Sequence, residues 1–68
     1  MSHVIDVRQI TALLSEDPQL MRRWKAASAA GRVQAMSVDG RNLATVDDDE
    51  LLDYLRTQHQ SVKLTLLP

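Results

Sequence analysis

The apolar residues of this 68-residue chain recur in blocks whose period changes along its length. Val4-Ile5 is a short apolar pair suited to a brief strand. Asp6 and Gln9 have capping-box spacing and precede Ile10, Leu13 and Leu14, which predicts a first helix over about 7–15. Asp17-Pro18 is the next start signal, an N-cap side chain ahead of a proline at the first helical position. Leu20, Met21, Trp24 and Ala27 (or Ser28) then form one apolar stripe. Gly31 supplies the left-handed position that closes a second helix over 18–30. Only Ser15-Glu16-Asp17 separates the two helices, so they are expected to cross rather than continue.

The period then shortens. Asp39-Gly40 is a two-residue type I′ turn signature, with Val33, Ala35, Met36 and Val38 before it and Leu43, Ala44 and Val46 after it. This predicts a β-hairpin over 32–46 in which Met36 opposes Leu43 and Ala35 opposes Ala44. Neither face is cleanly polar, so the pattern leaves open which one is buried. Asp47-x-x-Glu50 reads as a second capping box, opening a third helix with Leu51, Leu52, Tyr54 and Leu55 inward and fraying around Gln58-His59-Gln60. The tail 61–68 alternates at Val62, Leu64 and Leu66; it either adds a strand or covers an apolar surface on a second copy. No repeat, low-complexity stretch or internal linker divides the chain, and residues 1–68 read as one domain.

Composition narrows the chemistry. There is no cysteine, which excludes disulfides, thiolate metal sites and thiol nucleophiles together. No apolar run approaches the length of a membrane span, and Met1-Ser2-His3 does not open a signal peptide, so the expected setting is the cytoplasm. Trp24 and Tyr54 are the only aromatic residues; Trp24 fits the core stripe, and a stacking platform for single strands is nearly excluded. The net charge of −1 conceals a division, with residues 1–45 carrying +2 and residues 46–68 carrying −3. The run Asp47-Asp48-Asp49-Glu50 lacks calcium-loop spacing and suits a helix N-terminus, and no metal or cofactor is expected. His3 and His59 stand alone near the two ends and read as solvated side chains, so no enzyme activity is expected.

Three stretches carry a family resemblance. They are Leu20-Met21-Arg22-Arg23-Trp24-Lys25, then Gly31 through Arg41, then Glu50-Leu51-Leu52-Asp53-Tyr54-Leu55. In that order they resemble the excisionase-like winged-helix family, relatives of the MerR-type regulator head, over roughly residues 4–56. Two departures stand out. The helix before Gly31 is about two residues longer, and Ala26-Ala27-Ser28-Ala29-Ala30 occupies a stretch where basic residues would be expected.

The resemblance implies an α+β winged helix-turn-helix of two crossed helices, a hairpin wing and a third helix, to which the alternation over 61–68 adds a strand-like tail. Its implied function is sequence-specific or architectural binding of double-stranded DNA, in a transcription regulator of phage or mobile-element type. Helix 18–30 would lie in the major groove with hairpin 32–46 as the wing. Contacts would come from Arg22, Arg23, Lys25, Arg32 and Arg41, with Arg8 peripheral. Five cations imply a salt slope no steeper than about −4 to −5, so useful specificity would need a homodimer or a cooperative oligomer. The alternative expectation is a non-catalytic protein-interaction module, such as a phage head-completion protein or a small inhibitor. The acidic third helix, the near-neutral charge and the apolar tail point that way.

Overall fold

In the computed structural model, which describes residues 3–60, 62, 65 and 66, the chain is an α+β fold of three helices and an antiparallel sheet. The order is β1 (His3–Asp6), α1 (Val7–Glu16), α2 (Pro18–Ala29), β2 (Val33–Val38), β3 (Arg41–Val46), α3 (Asp49–Gln58) and the two-residue β4 (Thr65–Leu66). Each predicted helix and the hairpin is present. Of the tail, Thr65–Leu66 pairs with β1 of the same chain, Val62 packs against the core, and the rest falls outside the described residues.

Local chemistry accounts for the helix ends. Asp6 caps α1, its carboxylate accepting the Arg8 N–H at 2.9 Å rather than the Gln9 N–H of a capping box. α2 closes in a Schellman motif: the Arg32 N–H donates to the Ala27 carbonyl at 2.9 Å and the Gly31 N–H to Ser28 at 3.1 Å. Gly31, at φ +77°, adopts the left-handed conformation this requires. The cap of α3 differs from expectation. Asp48 is the N-cap, accepting the Leu51 N–H at 3.0 Å, because the Asp47 N–H instead donates to the Arg32 carbonyl at 2.8 Å and prolongs the hairpin ladder. Asp47 therefore belongs to the strand side of the junction.

The hairpin has its expected register, Met36 opposite Leu43 and Ala35 opposite Ala44, around a turn in which Asp39 (φ 52°) and Gly40 (φ 76°) both take positive φ. The strand order is β2-β3-β1-β4, so β1 enters beside β3 and settles which face is buried. Ile5 pairs with Ala44 and His3 with Val46; the face holding Ile5, Ala44 and Val46 is buried. Ile10, Leu20, Ala27, Leu51, Leu52 and Leu55 complete the buried set from the helices. Trp24 is half-buried at the margin of this core rather than its centre. The opposite sheet face presents Val4, Met36, Val38 and Leu43, none of which packs against the core among the described residues.

Leu20 of α2 is 0 % exposed within the core cluster. Leu20→Ala is expected to cost about 2–5 kcal/mol by removing buried methyl groups and leaving a cavity. That is a large share of the roughly 3–10 kcal/mol typical of a domain this size. Urea denaturation followed by circular dichroism checks this, with the midpoint falling sharply or the variant unfolded in buffer.

Candidate functional site

The five cations divide into two groups. Arg22 and Lys25 project from the side of α2 opposite Leu20 and Ala27; both are exposed, and neither has an ion-pair partner among the described residues. No acidic residue lies between Pro18 and Arg32 in the sequence, while Glu50 and Asp53 of α3 line a shallow groove with Arg23. Arg23 sits at the edge of the same helix, with its guanidinium 5.0 Å from the centre of the Tyr54 ring on α3. At that distance the cation is attracted to the ring face, which turns Arg23 toward α3 and away from Arg22 and Lys25.

The hairpin cations are engaged but open to water. Arg32 lies 3.5 Å from Asp48 with 60 % of its side chain exposed, and Arg41 lies 3.9 Å from Asp6 with 66 % exposed. Pairs this exposed are weak, so a phosphate can compete for either guanidinium. Arg41 leaves from the sheet face that the helices do not cover. Arg8, 3.6 Å from the same Asp6, lies with it at the start of α1.

The most connected polar group was not among the residues expected to matter as a cluster. Asp17 is the only residue between α1 and α2, and it serves both. Its N–H donates to the Leu13 carbonyl at 2.9 Å, while Oδ1 accepts the Gln19 and Leu20 N–H groups at 3.1 Å each. Oδ2 accepts the Tyr54 hydroxyl at 2.9 Å and lies 3.0 Å from His59 Nε2. An ionised carboxylate can only accept, so His59 Nε2 carries the hydrogen. His59 is thus not the solvated side chain its sequence position suggests. It is mostly buried, edge-on to Tyr54 with ring centres 6.3 Å apart, and its N–H closes α3 on the Leu55 carbonyl. The N-cap role of Asp17 is legible in Asp-Pro, but its partners lie 37 and 42 residues away and no local spacing announces them.

His3 also departs from expectation. It is half-buried beside Asp49, Asp53 and Arg56 at a shallow groove, and its Nδ1 has no hydrogen-bond partner among the described residues. Among the described residues no group of three His, Asp or Glu side chains is placed to hold a metal ion, and no helix is long and apolar enough to cross a membrane. The hydroxyl of Tyr54 donates to Asp17 Oδ2 and lies within 3.4 Å of Gln19 Oε1.

The Asp17 carboxyl is held below its ordinary range, first by the His59 side chain and next by the Leu20 N–H; Tyr54 and Gln19 add to this against partial desolvation. A carboxyl lowered on folding contributes stability that is fully present above its unfolded pKa of about 3.9 and is lost as pH falls through the lower folded value. Asp17→Asn keeps an oxygen for the α2 cap but removes the charge facing His59 and Tyr54. The variant is expected to melt below the parent at neutral pH, with the difference closing on acidification through that range. Asp6, also lowered, mainly by the Arg8 N–H, stays in both proteins and cancels. Melting curves across pH check this, and a gap that stays constant into strong acid would show that the charge does not matter.

No protein-family model matches the chain, and no curated protein and no solved structure matches it.

Proposed function

We propose that the chain binds double-stranded DNA as a winged helix-turn-helix of excisionase or small phage-regulator type. In this reading α1 and α2 are the helix-turn-helix, α2 enters the major groove, and the β2–β3 hairpin is the wing. The observation that carries it is the exposed face of α2, where Arg22 and Lys25 have no acidic partner among the described residues. Support comes from the order of elements: a one-residue break between two helices, a Schellman stop, then a hairpin held to the sheet through β1.

Arg22 and Lys25 are three residues apart, adjacent on one helix face, which suits a base edge and a neighbouring phosphate. Arg32 and Arg41 contribute only by exchanging an aspartate for a phosphate, and Arg23 by leaving the Tyr54 ring. The reading includes no catalytic step, cofactor or metal. A second reading, a protein-interaction module of head-completion or inhibitor type, rests on the apolar sheet face of Val4, Met36, Val38 and Leu43.

Titration against random-sequence duplex DNA at low and moderate salt separates the two readings. Duplex binding is expected at low salt, with a slope no steeper than about −4 to −5 if all five cations engage. Replacing Arg22 and Lys25 together by Ala is expected to weaken binding and flatten that slope by about 2. Unchanged affinity would remove α2 from the groove. No binding at low salt would leave the interaction module.

A further inference from the structure

β2 is one edge of the sheet, and nothing in its sequence protects it. Exposed edge strands usually carry a lysine, a proline, an inward charge or a bulge that discourages strand addition. Val33-Gln34-Ala35-Met36-Ser37-Val38 has neither charge nor proline, and it pairs with β3 in an unbroken register over all six residues. Its side chains do not shield it: Gln34, Ala35, Ser37 and Val38 are exposed, and Val38, at 41 %, is the one exposed large hydrophobic residue among the described residues.

The direction of the open groups follows from the ladder. In an antiparallel pair, residues alternate between those bonded to the neighbouring strand and those whose N–H and C=O point the other way. The Asp47 N–H bonds the Arg32 carbonyl, which sets the phase: even-numbered residues of β2 face β3. Val33, Ala35 and Ser37 therefore turn their N–H and C=O groups to the open edge.

We infer that this edge binds a second copy of the chain, β2 against β2 in antiparallel, to make a two-fold dimer with one continuous sheet. The ends of the strand select that arrangement by charge. Arg32 precedes β2 and Asp39 follows it. Antiparallel pairing sets Asp39 of each copy beside Arg32 of the other, whereas parallel pairing sets like charges together. A two-fold axis perpendicular to the sheet keeps each face continuous. Centred at Met36, it places Met36 opposite its own copy and extends the apolar face of Met36, Val38 and Leu43 across the junction.

The helices leave room for this pairing. On the helix-side face of β2, Val33 is half-buried but Ala35 and Ser37 are exposed, so α2 covers only the Val33 end. The two Val33 positions would lie about 20 Å apart, six residues along paired strands, and the two α2 helices sit over opposite ends. The inference rests on the strand edge alone and stands or falls separately from duplex binding.

Sedimentation of the full chain over a range of concentrations, in the absence of DNA, tests the inference. A monomer–dimer equilibrium is expected, with the amides of Val33, Ala35 and Ser37 exchanging more slowly as concentration rises. The bonded amides of Gln34 and Met36 should be protected throughout. Ala35→Lys and Ala35→Pro, at an exposed position whose N–H faces outward, are expected to raise the dimer dissociation constant about tenfold or more. Their circular dichroism should match that of the parent. Asp39→Asn, which the turn tolerates, should weaken the dimer by roughly two- to tenfold at low salt and less at high salt. A chain that stays monomeric at its highest soluble concentration overturns the inference. So does a dimer that both Ala35 variants leave intact, or one whose amide protection falls elsewhere.

Discussion

The fold turns on one carboxylate. Asp17 ends α1 through its backbone, starts α2 through Oδ1, and ties the far end of α3 to that corner through Tyr54 and His59 on Oδ2. With a single residue between two helices, the chain has no loop to absorb error, so the direction of α2 depends on how that residue is held. Four hydrogen-bond partners on a partly desolvated carboxylate hold it strongly, because each favours the charged form that the others need. The same bonds set α3 against α2 and place Tyr54 where Arg23 can lie over its ring. The positive face of α2 is thereby reduced to Arg22 and Lys25, the two cations of that helix with no ion-pair or ring partner among the described residues.

The sheet imposes a second constraint. β1 enters beside β3 and gives the hairpin an inside and an outside that its own residues do not distinguish. Once Ile5 lies against Ala44, the helices collect on that face, and Val4, Met36 and Leu43 are left together on the other. This leaves β2 as an uncharged edge with an apolar surface next to it. A domain of this size has little core to spare, and extending its sheet through a second copy would add burial that one chain cannot supply.

Much of the fold was legible in the residues themselves. Asp17-Pro18 marked a helix start, Gly31 a helix stop, and Asp39-Gly40 a hairpin whose register the structure reproduces, because each signal acts over a few residues where backbone sterics decide. The cap of α3 shows the limit of such reading. Asp47 and Asp48 are equally good capping residues, and the choice fell to Asp48 because the Asp47 N–H completes a bond to Arg32 across the hairpin. His59 shows it again: the residue looked isolated because its partner is 42 positions away.

The sequence by itself determined that three helices and a hairpin form, where α1, α2 and the hairpin turn start, and which residues are cationic. Those properties follow from local steric preference, capping and hydrophobic period, all of which are written within a few residues. The tertiary structure alone decided which hairpin face is buried and which cations remain unengaged. It also decided which strand is left as an edge. Each of these depends on what a distant segment brings: β1 to the hairpin, Asp6 and Asp48 to its arginines, and Tyr54 with His59 to Asp17. A contact between residues far apart in sequence has no local signature, because only the closed chain makes them neighbours.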